Sequence, residues 1–300
     1  MEDVDFQQWA AQGRHRIETL LELAVRERAP GVVGRGDAVL HEAMGYGVLG
    51  GGKRIRALLT LAAGEATGAP ALWCETAGAA IECIHAFSLV HDDMPCMDDD
   101  AVRRGQPTVH VKYGQAQALL VGDALQTLGF ELLAQLAAPA ERVVSLTRIL
   151  AHSTGLAGMA GGQAVDIAAV GQAMSQAELE SMHALKTGAL ISASVMMGAA
   201  CGQVTSQEQV ALARYAALIG LAFQVADDVL DVSADAATLG KTPGKDAASN
   251  KPTFVALLGL SGAQGYARGL HQQAVDALAP LGARSHRLSA LAHTVVSRSH

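Results

Sequence analysis

Residues 79–98 read AAIECIHAFSLVHDDMPCMD: a run dominated by apolar side chains that turns abruptly acidic at Asp92, Asp93 and Asp98. Residues 212–231, LARYAALIGLAFQVADDVLD, repeat the design and close on Asp227, Asp228 and Asp231. Neither run alternates as a strand would, so the pattern predicts helices over about 79–90 and 212–226, each ending in aspartates. The carbonyls at a helix C-terminus carry partial negative charge and repel carboxylates, and such an ending calls for a compensating cation. The spacings Asp92-Asp93-x-x-x-x-Asp98 and Asp227-Asp228-x-x-Asp231 gather hard oxygen donors suited to Mg²⁺ held jointly by carboxylate and substrate phosphate. One such cluster alone reads equally well as a solvated acidic loop or a set of helix caps. Two of them on matching apolar helices point to opposite walls of one cavity.

The rest of the chain agrees with a helical reading. Ile17, Leu20, Leu21 and Ala24 recur at helical spacing, and comparable runs fill most of the 300 residues. An apolar share of 50% supports a large core, and aromatics at only 4% suit closely packed helices better than a β-sandwich. Short breaks are expected at Ala29-Pro30-Gly31, Gly50-Gly51-Gly52, Gly68-Ala69-Pro70, Gly105-Gln106-Pro107, Ala138-Pro139 and Thr242-Pro243-Gly244. None resembles an interdomain linker and no solenoid period is present, so residues 1–300 read as a single all-α domain.

Charge and cysteine usage narrow the function. A net charge of −7 argues against a nucleic-acid partner, which requires a basic face. Cys74, Cys83, Cys96 and Cys201 form no CxxC pair, and the N-terminus lacks an export pattern, which together imply a reducing cytoplasm. The uncharged stretch between Lys186 and Glu208 is interrupted by Ser192, Ser194, Gln203, Thr205, Ser206 and Gln207. It reads as a buried core helix with an apolar centre too short for a bilayer, and no transmembrane segment is expected.

Basic and polar groups accompany the acids. Gly51-Gly52-Lys53-Arg54-Ile55-Arg56 opens a helix and offers backbone N–H groups plus two cations three residues apart; Arg103-Arg104-Gly105 follows the first acidic cluster. A P-loop is absent, no EF-hand order surrounds either cluster, and zinc lacks convergent Cys and His ligands. Lys186-Thr187-Gly188 and Phe223-Gln224 set polar groups inside apolar helices, where they need partners, and Lys241, Lys245 and Lys251 follow the second cluster. Cys83 reads as a small core residue and Cys96 as a loop residue. His85, seven residues before Asp92, lies nearly two turns below it on the same face and within reach of a bound diphosphate.

These motifs, in this order, resemble the trans-prenyl diphosphate synthase family, closest to its bacterial farnesyl diphosphate synthases, and the resemblance covers nearly the whole chain. It implies the isoprenoid synthase fold, a bundle of long antiparallel helices around a deep central cavity. It also implies Mg²⁺-dependent condensation of isopentenyl diphosphate with dimethylallyl or geranyl diphosphate to (2E,6E)-farnesyl diphosphate, by ionisation, condensation and elimination. The family would use a cluster of three Mg²⁺, with Mn²⁺ able to substitute, and would form a homodimer. Asp92, Asp98 and Asp227 would ligate metal, and Asp93, Asp228 and Asp231 would mostly orient them or bound water. Arg103, Lys186 and Lys241 would bind the allylic diphosphate; Gly52, Lys53, Arg56, His85 and Arg104 would bind isopentenyl diphosphate. Thr187 and Gln224 would face the developing allylic cation.

Phe87, five residues before Asp92, would floor the cavity and set product length, sharing the task with Ser88, which ideal-helix angles put more directly under Asp92. Ala57 follows Arg56 where the family often has Pro, Phe254 stands where Tyr is common, and the C-terminal Arg298 only loosely matches the family's basic tail. Geranylgeranyl or geranyl diphosphate synthase is the nearest alternative. A terpene cyclase is disfavoured by Asp227-Asp228-x-x-Asp231 and by the Lys53/Arg56 pocket, and a non-catalytic partner subunit by two intact acidic clusters.

Overall fold

In a computed structural model, residues 2–27, 35–233 and 252–296 are described. Among the described residues the fold is all-α apart from one hairpin of two-residue strands. Its helices are α1 (Glu2–Arg26), α2 (Arg35–Leu49), α3 (Ile55–Ala66), α4 (Ala71–Asp92), α5 (Val109–Tyr113), α6 (Gln115–Ala134), α7 (Ala140–Thr154), α8 (Met159–Ala168), α9 (Gln176–His183), α10 (Ala189–Cys201), α11 (Ser206–Ser233), α12 (Phe254–Ala277) and α13 (His286–Val296). A π-helical turn, Ala184–Gly188, joins α9 to α10, and a 3₁₀ segment, Ala279–Ser285, joins α12 to α13. Strands β1 (Val102–Arg103) and β2 (Gln106–Pro107) pair antiparallel around Gly105.

The expected breaks at Gly50-Gly51-Gly52, Gly68-Ala69-Pro70 and Ala138-Pro139 fall between helices. Those at Ala29-Pro30-Gly31 and Thr242-Pro243-Gly244 lie outside the described residues. Helix α4 stops at Asp92 with Asp93 as its C-cap, as its sequence predicts, although it begins at Ala71, well before residue 79. Helix α11 departs from expectation. It runs to Ser233, so Asp227, Asp228 and Asp231 lie within its last two turns rather than beyond its end. The reason is hydrogen bonding to the acid: the Asp228 carboxylate accepts Gln224 Nε2–H at 2.9 Å from its own helix and the Phe254 backbone N–H at 2.8 Å from α12, which lets the helix continue through the cluster.

Helices α3, α4, α10 and α11 form the centre of the core, and small residues set their spacing. A Cβ at Gly198 of α10 would collide with the Thr60 carbonyl of α3, and one at Gly220 of α11 would come within 3.0 Å of the Gly188 Cα. Backbone therefore meets backbone where the π-turn carrying Lys186 and Thr187 crosses α11. The uncharged stretch between Lys186 and Glu208 takes in the end of the π-turn, the whole of α10 and the first two residues of α11. Two longer helical runs, Gln176–Cys201 and Ser206–Ser233, are long and apolar enough to cross a membrane by length and composition, in contrast to the short apolar centre read from sequence. About half of each apolar window is buried within the chain, as in core helices.

Tyr215 of α11 is fully buried and donates its hydroxyl to the Leu288 carbonyl of α13 at 2.7 Å, fastening the last helix to the core. Tyr215→Phe should lower stability by about 1 kcal/mol, the usual net worth of one hydrogen bond, which a urea midpoint would read. An unchanged midpoint would mean that packing alone holds α13.

Candidate active site

A cavity of about 700 Å³ opens among α3, α4, α8, α10, α11 and the π-turn. Asp92, at the end of α4, and Asp98, in the turn that follows it, enter it from one side; Asp227 and Asp228 enter from α11. Arg56, His85, Phe87, Ser88, Arg103, Arg104, Lys186, Thr187 and Gln224 also line it. Motifs spread over most of the sequence thus share one wall surface because α10 packs against α3, α4 and α11 alike.

Several residues stand elsewhere. Asp93 and Asp231 are 3% and 4% exposed and do not line the cavity. Asp93 holds Arg103 in a forked pair, with Nε at 2.8 and 2.9 Å from its two oxygens and Nη2 at 2.7 Å from Oδ1. Gly52 and Lys53 are exposed and lie off the wall. Gly52 instead receives the Arg104 guanidinium, to which a Cβ would approach within 3.1 Å, and Arg104 donates to the Gly51 carbonyl. Lys241, Lys245 and Lys251 lie outside the described residues.

The polar residues read as needing partners find them in one chain. Thr187 Oγ1 donates to Gln224 Oε1 at 3.1 Å, and Gln224 Nε2 donates to Asp228 Oδ1 at 2.9 Å. Polar wall residues on α8 and α9 escaped the sequence reading. Asp166 of α8, 5% exposed, accepts from Lys186 Nζ at 2.5 Å, and Gln163 lies one turn before it. The available signal was Gly161-Gly162-Gln163-Ala164-Val165-Asp166, small and polar residues in an otherwise apolar segment. Gly162 is essential to the arrangement, since a Cβ there would collide with the Lys186 backbone N and Cα. His183, also on the wall, escaped as well; burial pushes its imidazole down to about 4.

Electrostatics follow from burial and crowding. The Asp92 carboxyl is pushed up to about 6, first by desolvation and then by the nearby Asp98 and Asp93 charges, with Lys186 and Arg103 opposing. His85 is held well below its ordinary value by burial and by the fields of Arg56, Arg104 and Arg103, so it is a neutral imidazole at pH 7. Among the described residues no three His, Cys, Asp or Glu side chains are gathered closely enough to hold a metal ion. The four acids Asp92, Asp98, Asp227 and Asp228 nevertheless bring carboxylate oxygens to the wall from the α4 end and from α11, which fits a hard divalent cation whose coordination is completed by phosphate oxygens.

Comparison with known proteins matches this geometry to a family. The polyprenyl synthetase family model matches residues 37–277. The chain is 48% identical over 287 residues to a probable farnesyl diphosphate synthase of Bradyrhizobium diazoefficiens, covering 94% of this chain and 85% of that protein. It is 47% identical over 265 residues to the farnesyl diphosphate synthase of Escherichia coli, covering 86% and 89%. Among solved structures, a geranyltransferase of Helicobacter pylori complexed with magnesium and isoprenyl diphosphate superposes with a TM-score of 0.84 at 34% identity, covering 96% of each chain. The chain belongs to the polyprenyl synthetase family.

Proposed function

We propose that residues 1–300 form one prenyltransferase domain that condenses isopentenyl diphosphate with dimethylallyl or geranyl diphosphate and releases (2E,6E)-farnesyl diphosphate. The observation that carries the reading is the single cavity into which α4 and α11 both deliver carboxylates beside Lys186, Arg103, Arg56 and His85. Its relatives' names give the product, and the geranyltransferase complex supplies a precedent for magnesium with an isoprenyl diphosphate.

In this reading Asp92, Asp98 and Asp227 would hold Mg²⁺, while Asp93, Asp228 and Asp231 would support them, Asp93 by orienting Arg103 and Asp228 by orienting Gln224. Bound Mg²⁺, or Mn²⁺ in its place, supplies charge neutralisation of the leaving diphosphate. Lys186 and Arg103, each held by an acid, add positive charge to the same group, as Lys241 would by its family role, so the allylic C–O bond breaks with its electron pair leaving on oxygen. The Thr187–Gln224 chain directs oxygen lone pairs toward the allylic cation, and the apolar walls exclude water from it. Arg56, Lys53 and Arg104 grip the isopentenyl diphosphate with backbone help from Gly52, and neutral His85 adds an N–H donor. The isopentenyl double bond attacks the cation, a C–C bond forms, and the departing diphosphate takes the final proton.

A homodimer is part of the proposal: α6 and α7 expose Leu119, Leu120 and Val144, each about half accessible, an apolar surface a second copy would cover. The protein is read as cytoplasmic and without a transmembrane segment, its long apolar helices serving the core.

Sizing the products made from isopentenyl and geranyl diphosphates with Mg²⁺ tests the reading. A C15 diphosphate is expected, and no product without isopentenyl diphosphate; a cyclised hydrocarbon from the allylic substrate alone would overturn it. Phe87, stacked edge-on against His91 at 5.1 Å between ring centroids, and Ser88 lie on the cavity wall below the carboxylates. Phe87→Ala should shift product toward C20 and cost stability of about 3–5 kcal/mol at most, as cavity-forming substitutions do. A folded, active variant releasing only C15 would remove Phe87 from that role. Gly162→Ala forces α8 away from the π-turn and disturbs the Lys186–Asp166 pair. Turnover should fall about tenfold or more, a loss of at least one Lys186 contact in the transition state; wild-type turnover would show that Lys186 placement is unimportant.

A further inference from the structure

Arg54 belongs to the glycine-rich phosphate motif by sequence, yet it points away from the cavity. It is 4% exposed and adopts a left-handed conformation, φ 50° and ψ 36°, immediately before α3. For a side chain with a Cβ that conformation is uncommon and persists only where surrounding contacts enforce it. Those contacts use all three guanidinium nitrogens. Nε donates to Glu18 Oε1 of α1 at 2.7 Å, Nη1 to Glu82 Oε2 of α4 at 3.1 Å, and Nη2 to the Val48 carbonyl of α2 at 2.6 Å. Glu82, 2% exposed, spends its other oxygen on the Ala57 N–H at 3.2 Å, so one carboxylate both anchors Arg54 and caps the first turn of α3.

Stability alone is a weak explanation for this arrangement. Desolvation of two buried charges offsets much of their attraction, and apolar replacements of similar volume are often neutral or stabilising. What the pair fixes is position. Arg54 lies between Lys53 and Arg56, the cation pair read as gripping isopentenyl diphosphate, and Glu82 lies one turn before His85 on α4. The loop has a second brace on its outer side, where Arg104 packs on Gly52 and donates to the Gly51 carbonyl.

We infer that the buried Arg54–Glu82 pair is a positioning device for the isopentenyl diphosphate pocket: it holds the Gly51–Lys53 backbone and the first turn of α3 so that Lys53 and Arg56 converge on the non-allylic diphosphate, without touching substrate itself. The inference rests on the proposed roles of Lys53 and Arg56. It assigns Arg54 a duty different from that of its neighbours in the same motif, and it makes an acid on α4 a determinant of affinity for an anionic substrate.

The test compares Arg54→Met/Glu82→Leu, which replaces the pair by apolar groups, with Glu82→Gln, Arg54→Lys and Lys53→Ala. The double variant should raise KM for isopentenyl diphosphate about tenfold or more, the loss of at least one charge-assisted contact through misplacement. KM for geranyl diphosphate, and kcat with both substrates saturating, should stay at wild-type values. Arg54→Lys keeps the charge but cannot reach Glu18, Glu82 and Val48 together, so it should recover only part of the affinity. A purely structural role would lower the folded fraction, scaling kcat while leaving the ratio of the two KM values unchanged; a wild-type ratio therefore overturns the inference. Should the double variant not fold, the nearly isosteric Glu82→Gln decides by the same ratio. If Lys53→Ala raises KM for isopentenyl diphosphate while the pair variants do not, only this inference falls. If Lys53→Ala leaves it unchanged, the assignment of the pocket falls instead.

Discussion

Carboxylates delivered into one cavity by two apolar helices repel one another, and the architecture around them is organised to tolerate that repulsion. Each cluster separates its acids. Asp93 is turned from the wall and neutralised by Arg103, while Asp228 spends its oxygens on Gln224 and the Phe254 N–H. Asp92, Asp98 and Asp227 share the wall with the hydrogen-bonded Asp228, and Asp92 shows the cost, its carboxyl lifted to about 6 by burial and neighbouring acids. A site held in this condition favours cations that arrive with an anion of their own, because the diphosphate brings oxygen ligands that the protein does not supply.

The same constraint explains why the surrounding cations are also paired. Lys186 rests on Asp166, Arg103 on Asp93, and Arg54 on Glu18 and Glu82, so each charge has a fixed bearing. Charge preorganised in this way stabilises a leaving group without needing to reorient as the bond breaks. The π-turn at Ala184–Gly188 contributes to the same end. It sets Lys186 against Gly162 on one side and Gly188 against Gly220 on the other, closing the cavity with backbone contacts that leave no room for a Cβ.

Much of this was legible in the sequence because the signals were local. Helix α4 ends at its aspartates as the apolar run predicts, and Thr187 with Gln224, polar among apolar neighbours, proved to be hydrogen-bond partners. What escaped depended on tertiary context. Nothing close in sequence to Asp228 reveals that α11 continues past it, because one stabilising N–H comes from Phe254, 26 residues away. Asp166 was invisible as a partner of Lys186 for the same reason, and Arg54 looked like its neighbours until its left-handed backbone turned it inward. The off-wall positions of Lys53, Asp93 and Asp231 likewise follow from packing, which spacing alone does not fix.

The central claim is that the two acidic helices hold divalent cation only jointly with a diphosphate. Titrating the protein with Mn²⁺ and following the free-ion resonance by electron paramagnetic resonance, with and without an unreactive allylic thiodiphosphate, measures this directly. The account predicts weak Mn²⁺ uptake by the protein alone and tight uptake of several ions once the thiodiphosphate is present, lost in Asp92→Ala and in Asp227→Ala. Equally tight uptake without the thiodiphosphate, or uptake that survives either substitution, would contradict it.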